Sequence, residues 1–244
     1  ERQQTDHEDP GLTQARQHFE KAIELDPALS DAHAYLSICG SWELVQRITQ
    51  DSKQTLDGML ADGRRAEALN PENPLALLGI AISYFFRGNH SAALDHVQRA
   101  VQFNPSFALS YLWLGLAQVH SGDFQQGEHS SLKAIELSPA DPELNIFYAT
   151  LYFAYLGQVK YEEALEAIDK ALLRHPDAGH HLGFRAAVLG HLQRPEAKAA
   201  LDRYLALRPN LKARDDYRRI FVPNSALADP IIEGLCLAGW EPDE

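Results

Sequence analysis

The chain has 244 residues, 45% of them hydrophobic, and a formal net charge of −12 at pH 7. This length and apolar content suffice for a continuous core, whereas the acidic balance argues against nucleic-acid binding, which requires a basic face. No apolar run approaches the roughly 20 residues of a membrane span, because even the longest, residues 146–156, is interrupted by Thr150. We therefore expect neither a nucleic-acid partner nor membrane insertion.

The start of the chain predicts an incomplete first element. We expect residues 1–10 to be disordered or flexible, since a repeating pattern begins only at about residue 11. Residues 12–25 have the pattern of the second helix of a helix pair without its first helix. Because the sequence starts at Glu1 rather than Met, we expect a processed chain or a piece of a longer protein.

A period of 34 residues runs through the middle of the chain. Pro71, Pro105 and Pro139 lie 34 residues apart (105−71 and 139−105). An alanine stands five positions before each proline, and the same Ala-to-Pro spacing recurs near both ends: Ala66, Ala100, Ala134, Ala22/Pro27 and Ala171/Pro176. A strict period of this length indicates a helical repeat array, a class that usually binds other proteins.

Two consecutive stretches, residues 74–107 and 108–141, carry the residues of a known repeat. They place large apolar, small, turn and helix-ending residues in matching positions: Ala81, Tyr84, Gly88, Ala93, Ala100 and Pro105, then Tyr111, Leu114, Gly115, Gly122, Phe124, Ala134 and Pro139. In this pattern the chain resembles the tetratricopeptide repeat (TPR) over roughly residues 11–209. The resemblance implies an all-α fold, a superhelical solenoid of about five to six antiparallel helix pairs, with a C-terminal helical cap at residues 210–244.

The repeats are not uniform in length. The spacing from Pro27 to Pro71 is 44 residues (71−27), and we place the extra length around residues 41–52. The spacing from Pro139 to Pro176 is 37 residues (176−139), and we place the excess near residues 156–161. Gln193 stands where a turn glycine is usual. These departures affect local geometry rather than the fold class.

A search for catalytic and metal-binding motifs finds none that would assign chemistry. Four of the eleven histidines fall in one repeat, but none forms a His-Glu-x-x-His pattern, and the two cysteines are far apart: His175, His180, His181 and His191, with Cys39 and Cys236. No phosphate-binding glycine-rich loop and no Gly-x-Ser-x-Gly elbow occur. We therefore predict no enzyme activity, no cofactor and no metal site.

The first helices of the repeats are apolar nearly all round, so several of their faces must be covered. The TPR resemblance places these helices along the concave surface and assigns groove-facing positions in three successive repeats: Leu75, Leu78 and Ile82; Leu109, Leu112, Trp113 and Leu116; Glu143, Ile146, Phe147 and Thr150. The basic residues with which chaperone-binding TPRs clamp a carboxylate are absent there. Two interpretations remain open: the residues complete the core of a tightly wound superhelix, or they form a recognition surface for an apolar peptide or amphipathic helix.

The end of the chain predicts a short capping helix. Asp229 and Pro230 begin it and Gly239 ends it, with an apolar stripe at Ile231, Leu235 and Ala238. A helix this short is marginal alone, so it should gain order by docking. We expect it to cover the last repeat's second helix through Leu201, Tyr204 and Leu205.

Residues 233–242 carry a second resemblance. They resemble the tail that follows TPR regions fused to bacterial class III adenylate or guanylate cyclases or to winged-helix regulators, with Cys236 and Leu237 in place of a usual basic pair. This resemblance implies the regulatory C-terminal part of a bacterial signalling protein, located in the cytoplasm, or in the periplasm if the whole protein is membrane-anchored.

These observations predict a non-catalytic scaffold that binds a protein or peptide through an apolar concave groove, or that forms a homodimer. A different hypothesis is a small-ligand sensor in which aromatic residues enclose a cavity: Tyr84, Phe85, Trp113, Phe147 and Tyr152. A third is a self-association module that regulates a fused cyclase or DNA-binding domain. An enzyme built on a helical solenoid is the least favoured class, since no nucleophile, base and orienting group cluster in the sequence.

Overall fold

A computed structural model describes residues 10–45, 51–219 and 225–243. Over these ranges the chain forms thirteen α-helices and a single isolated bridge, between Ala213 and Asp243. The helices are α1 Pro10–Leu25, α2 Ser30–Val45, α3 Ser52–Leu69, α4 Pro74–Phe86, α5 His90–Phe103, α6 Ala108–His120, α7 Phe124–Leu137, α8 Leu144–Gly157, α9 Tyr161–Arg174, α10 Gly179–His191, α11 Ala197–Ala206, α12 Arg214–Arg218 and α13 Ala228–Leu237. The all-α prediction is confirmed, while the predicted flexibility of residues 1–10 falls, apart from Pro10 at the start of α1, outside the described residues.

Local sequence signals explain where the repeat helices begin and end. Several second helices start behind an Asn or Asp cap; in α7 the Asp123 carboxylate accepts a hydrogen bond from the Gln126 N–H. First helices end at a residue in the left-handed region, namely Gly88 (φ 71°), Gly122 (φ 88°), Val159 (φ 62°) and Gln193 (φ 52°). Gln193 thus adopts the turn conformation for which glycine is usual.

The extra residues of the longer repeat precede the end of α8 rather than follow it. The turn residues Gly122 and Val159 are 37 residues apart (159−122), whereas Val159 and Gln193 keep the spacing of 34 (193−159). The connection before α8 has six residues, 138–143, against four, 175–178, before α10, and α8 is one residue longer than α6. The placement of the excess near residues 156–161 was wrong, because that turn keeps the geometry of the others.

The molecule divides into two compact units, residues 1–106 and residues 107–244. In the first unit α2 packs on α3 and α4. Close approach depends on small residues: a Cβ added at Gly79 would overlap the Ser37 hydroxyl, and the Ser37 hydroxyl itself donates to the Met59 carbonyl at 2.7 Å. Small side chains at the helix contacts therefore fix the spacing of this unit, as the repeat pattern predicts.

In the second unit α6–α7, α8–α9 and α10–α11 form antiparallel pairs, with α7 also packed on α8 and α9 on α10. Tyr152 joins two of the first helices: it is fully buried, its ring stacks on Phe184 at 5.4 Å, and its hydroxyl donates to the Phe184 carbonyl at 3.0 Å. Burial raises the pKa of the Tyr152 hydroxyl well above its usual value, so this group stays a neutral donor.

The C-terminal helix α13 packs chiefly on α10, the first helix of the last pair, and not on α11 as expected. The reason is steric, because Gly190 of α10 and Gly234 of α13 let the two backbones touch. The predicted stripe is correct, since Ile231 and Leu235 are both 0% exposed. Tyr204 of α11 is instead hydrogen-bonded to the side chain of Tyr217.

Candidate interaction surface

The TPR resemblance assigns one face of α6 to the groove, here called its inner face, and this face carries a row of large apolar side chains that are only half-buried. Leu109, Trp113 and Leu116 are spaced four and three residues apart, which places them on one face of the helix. Leu112 lies beside this row but is only 3% exposed, and it forms a core cluster with Leu144 and other residues. Leu112 therefore lies in the core beneath the row and is not part of the accessible surface.

The predicted site residues of α8 likewise comprise partly exposed residues and fully buried ones. Ile146 is half-buried, whereas Phe147 and Thr150 are 1% and 0% exposed. The buried Thr150 hydroxyl donates to the Ile146 carbonyl at 2.9 Å, which satisfies it within the helix. Glu143 is the residue before the first turn of α8, partly exposed, and its side chain makes no cap hydrogen bond.

The register of α8 shows which of its residues correspond to the α6 row. The last residues of first helices pack on the first residue of the preceding second helix: the His191 ring stacks on Tyr161 at 4.4 Å, and a Cβ at Gly157 would overlap Phe124. Gly157 therefore corresponds to His191. Counting back from this end, Ile146 corresponds to Leu109 and Phe153 to Leu116.

Phe153 was missed by sequence reasoning, because the extra residues of this repeat were placed after α8, so that a spacing of 34 from α6 was kept through α8. Its ring is 7% exposed and meets the His120 ring edge-on at 6.0 Å and the Phe184 ring at 4.9 Å. Counting backwards from the left-handed turn residue that follows α8 would have identified Phe153 as the counterpart of Leu116. Phe153 joins α6, α8 and α10 by aromatic contacts.

In the first unit, the three predicted residues of α4 lie at different depths. Leu75 is half-buried and packs against Ala34, Ala66 and Ala76. The other two, Leu78 and Ile82, are 0% exposed. Of the predicted residues in this unit, the accessible one is Leu75.

On α10 some of the corresponding positions hold much smaller residues. The offset from Pro105 to Pro176 is 71 residues (176−105), and α6 and α10 begin and end with this same offset. It pairs Leu112, Leu116 and Val119 of α6 with Gly183, Ala187 and Gly190 of α10, whereas Leu109 and Trp113 correspond to the larger His180 and Phe184. These α10 residues were not predicted as site residues.

Helix α13 covers the part of α10 that carries Ala187 and Gly190. A Cβ at Gly234 would overlap the Ala187 carbonyl oxygen, and one at Gly190 would lie 2.8 Å from the Ala238 nitrogen. The His191 ring donates from Nε2 to the Pro230 carbonyl at 2.8 Å, and the Ala226 N–H donates to the His120 carbonyl at 3.0 Å. The C-terminal segment thus lies along the inner face of the second unit, from α10 to the end of α6.

Two histidines of the last repeat, His180 and His181, are accounted for by a contact with another side chain and by burial. His181 is 8% exposed, and burial, with a smaller contribution from His175, lowers its pKa to about 4, so it is neutral at pH 7. His180 lies 3.1 Å from the Arg208 guanidinium. Within residues 10–45, 51–219 and 225–243, no three His, Cys, Asp or Glu side chains are grouped as metal ligands. Over the same ranges, none of the helices has both the length and the apolar character to cross a bilayer.

Two cavities lie away from the inner face. One, of about 500 Å³, lies between α9, α10 and α11, where Leu172, Leu182 and Ala200 form its apolar part and Arg185 pairs with Asp169 at 2.7 Å. The other, of about 630 Å³, lies between α12 and α13 beside Arg214 and Leu237. The aromatic residues proposed to enclose a ligand do not surround an opening at Phe147 and Tyr152, which lie in the core.

Comparison with known sequences identifies the repeat. The family described as Tetratricopeptide repeat matches residues 61–106 and 78–142. A curated relative, the Small glutamine-rich tetratricopeptide repeat-containing protein 2 of Mycosarcoma maydis, is 30% identical over 80 residues, which is 33% of this chain and 23% of that protein. The chain therefore spans about a quarter of the length of the curated relative that it matches.

Solved structures show the same fold. A chain of the APC/C hetero-tetramer Cut9-Hcn1 superposes with a TM-score of 0.69 at 19% identity, over 92% of this chain and 39% of that one. PilF of Pseudomonas aeruginosa gives 0.60 at 19% identity (82% and 86% covered). YrrB, described as a TPR protein with an unusual peptide-binding site, gives 0.54 at 18% identity (79% and 93% covered).

The chain thus has the TPR solenoid fold, and proteins with this fold in general mediate protein–protein interactions as non-catalytic scaffolds. At these identities the structural likeness carries the fold alone. The named relatives do not support the resemblance of residues 233–242 to cyclase-associated or winged-helix-associated tails, which stays a prediction.

Proposed function

We propose that the chain is a non-catalytic interaction module that binds an apolar segment of a protein partner on the inner face of α6 and α8. The observation that carries this proposal is the row of half-buried Leu109, Trp113 and Leu116, with Ile146 at the corresponding start of α8. Large apolar side chains grouped on one accessible face usually mark an interface. YrrB, which shares the fold, is described as having a peptide-binding site, which agrees with this use of the fold.

The buried residues beneath the row hold its side chains in fixed positions. Leu112, Phe147 and Thr150 are at most 3% exposed and hold α6 and α8 in register. Of the eleven groove residues expected from the sequence, we propose that those which remain accessible contact the partner and that the buried ones position them. In the first unit this assigns contact to Leu75 and support to Leu78 and Ile82.

The chemistry of the row indicates the kind of partner. Apolar residues at positions four and three apart match the side-chain spacing of an amphipathic helix, which would place its own apolar face on the row. The net charge of −12 favours partners with a net positive charge, because opposite charge speeds encounter. We therefore propose a basic, amphipathic helical segment as the ligand of this surface.

The experiment compares two charge insertions in the same unit. Leu109→Asp/Leu116→Asp alters the row, and Leu132→Asp is the control, because Leu132 is 45% exposed on α7, the second helix of the pair. Peptides selected from a displayed random library on the unaltered chain are then titrated into all three proteins. We expect binding by the unaltered chain and the control and at least a tenfold loss in the double variant; equal binding by all three contradicts the proposal.

The wider context is also a proposal. The resemblance of residues 233–242 supports the C-terminal, regulatory part of a cytoplasmic bacterial signalling protein, with residues 11–209 as the array and 210–244 as its cap. The same resemblance supports the alternative of a self-association module that regulates a fused cyclase or DNA-binding domain. A small-ligand sensor is the weaker alternative, since Phe147 and Tyr152 are buried in the core.

A further inference from the structure

The last helix pair, α10–α11, has a smaller residue than the two pairs before it at one position of its first helix. Leu182 corresponds to Tyr111 of α6, at the offset of 71 residues, and to Tyr148 of α8, at the offset of 34 that the two helix ends share (191−157). The Tyr148 ring is partly buried against the core and lies 5.8 Å from the Lys170 ammonium of α9. Because leucine is shorter than tyrosine, space is left at Leu182, and the cavity of about 500 Å³ lies there, between α9, α10 and α11.

Three residues further along α10, a charged side chain lines the same cavity. Arg185 corresponds to Leu114 and Leu151, which are 8% and 5% exposed. The Arg185 guanidinium donates from Nε to the Asp169 carboxylate at 2.7 Å, its only hydrogen bond within the part of the chain that the structure describes. Since a guanidinium has five N–H donors in a planar fork, its Nη groups remain available to a second carboxylate.

A second arginine lies at the edge of the cavity. Arg203 of α11 reaches the Asp177 carboxylate at 3.3 Å and the Pro176 carbonyl at 3.4 Å, and both contacts are long for hydrogen bonds. The Asp177 side chain is 95% exposed, so this ion pair is screened by water and contributes little to stability. A carboxylate from a partner can therefore replace Asp177 at small cost.

The apolar wall of the cavity includes a leucine that is largely in contact with water. Leu173 is 82% exposed, whereas the residues at the same place in the other repeats, three positions before the helix-ending proline, are polar or small: Glu24, Ala68, Gln102 and Glu136. Leu172, Leu182 and Ala200 extend this wall. Because burial of leucine is favourable, apolar side chains grouped around an opening mark an interaction surface.

We propose that this cavity binds an acidic segment of a protein partner, in which a large apolar side chain is followed by carboxylates. The apolar side chain enters between Leu182 and Ala200, and the carboxylates bind Arg185 and Arg203. The wall carries these two arginines against one acidic residue, Asp169, in a chain whose formal net charge is −12. The cavity is thus a basic place on an acidic protein, and charge complementarity selects an acidic segment for it.

This site is separate from the row on α6. The walls of the cavity come from α9, α10, α11 and the turn at Pro176, and its ligand has the opposite charge to the basic helix proposed for the row. The proposal therefore does not rest on the function proposed for α6, and variants of the row should leave it unchanged.

The probes are four short peptides, blocked at both ends, in which Leu, Ile, Phe or Met precedes two glutamates within a Gly/Ser sequence. Each is titrated into the isotope-labelled full chain and followed by NMR, which detects binding in the millimolar range. We expect at least one peptide to shift the amide signals of Leu182 and Ala200 and the Nε–H signal of Arg185. Alanine at the apolar position should weaken binding at least about tenfold, and glutamine at both acidic positions about three- to tenfold.

Three results of these titrations overturn the proposal. The first is the absence of shifts at Leu182, Ala200 and Arg185 with all four peptides. The second is equal affinity for the glutamate and glutamine peptides. The third concerns isovalerate, a small molecule with a branched apolar group and a carboxylate: if it binds as tightly as the peptides, the cavity is a site for small carboxylates and not for a protein segment.

Two variants test the residues that distinguish α10 from α6 and α8. Leu182→Tyr restores the side chain that both other helices carry, so the chain should fold while the filled cavity loses at least about tenfold in peptide affinity. Arg185→Gln should weaken the glutamate peptides about three- to tenfold and leave the glutamine peptides unchanged. The matched control is Arg194→Gln, which removes the same charge beyond the far end of α10, where Arg194 pairs with Glu162 at 2.7 Å.

Unchanged affinity in a folded Leu182→Tyr variant contradicts the proposal. If that variant does not fold, the comparison of the two arginine variants decides, because Arg185→Gln and Arg194→Gln carry the same net charge. Equal affinities of these two variants for the glutamate peptides would mean that the peptides respond to overall charge and not to this cavity.

Discussion

Helices α6 and α10 occupy equivalent places in two repeats of the same unit, yet their inner faces differ. Leu116 of α6 is half-buried, whereas its counterpart Ala187 is 0% exposed beneath α13. The difference lies in side-chain size: large residues keep a surface available, and small ones allow another backbone to approach. One repeat pattern thus produces an interaction surface at one position and a helix-docking site at another.

The largest expected effect tests the depth of the α6 row. Leu112→Asp should lower the free energy of unfolding by at least about 4 kcal/mol, because it buries an unpaired carboxylate in the core. Leu116→Asp, one turn away on the same helix, should cost about 1–2 kcal/mol, because Leu116 is only partly buried against the same cluster. Urea unfolding of both variants measures this. Equal losses would mean that the two residues lie at the same depth.

A pH titration tests the covered helix α10. The pKa of His181 is about 4 in the folded chain, below its ordinary value of 6.5, so the unfolded chain binds the extra proton between these values. The contribution of His181 to the free energy of unfolding is therefore fully present above pH 6.5. It falls by about 3 kcal/mol as the pH drops from 6.5 to 4. Chemical unfolding at pH 7 and pH 4.5 measures the loss. His181→Leu should remove much of this slope.

Substitution at the helix contact tests why α10 is covered. Gly190→Ala should lower the free energy of unfolding by about 2 kcal/mol, a fall in Tm of roughly 4–8 °C, because the added methyl displaces α13. Gly58→Ala is the control, since a Cβ there meets nothing within 4 Å and helix propensity favours alanine. Thermal unfolding compares the two. A variant at Gly190 as stable as the control would show that α13 does not contact α10 in this way.

The smallest expected effect compares the turns that end the two helices. The α6 turn has Gly122 at φ 88°, and the α10 turn has Gln193 at φ 52°. A non-glycine residue in this region carries a steric cost of about 1 kcal/mol. Gln193→Gly should therefore raise the free energy of unfolding by about 0.5–1 kcal/mol, and Gly122→Gln should lower it by a similar amount. Opposite signs in paired unfolding curves are the result to look for.

The sequence predicts the helices well because particular residue types mark where they end. Pro105 and Pro139 and the turn at Gly122 mark ends that only certain residues allow. The register of α8 could not be read in this way, because its turn residue is Val159, a β-branched residue at φ 62° that sequence patterns do not associate with a left-handed turn. Counting from the preceding proline therefore aligned Ile146 with Leu112, whereas the structure aligns it with Leu109.

The docking of α13 was predicted on the wrong helix for a similar reason. Leu201 and Tyr204 of α11 are large and apolar, and sequence reasoning assigns contacts to such residues. The helix on which α13 actually packs is α10, through Ala187 and Gly190. Their small side chains suggest weak packing in the sequence, but in the structure they let the α13 backbone approach closely. A stripe of small residues is informative only when the second helix is known, and that is tertiary information.

The central claim, an inner face open at α6 and covered at α10, is tested most directly by hydroxyl-radical footprinting with mass spectrometry. Trp113 lies half-buried in the α6 row, and Trp240, 5% exposed, lies just after α13, so the two report on the two regions with side chains of equal intrinsic reactivity. We expect Trp113 to be oxidised several-fold faster than Trp240 in the folded chain, and the rates to become equal in urea. Equal rates in the folded chain, or faster oxidation of Trp240, would contradict the account.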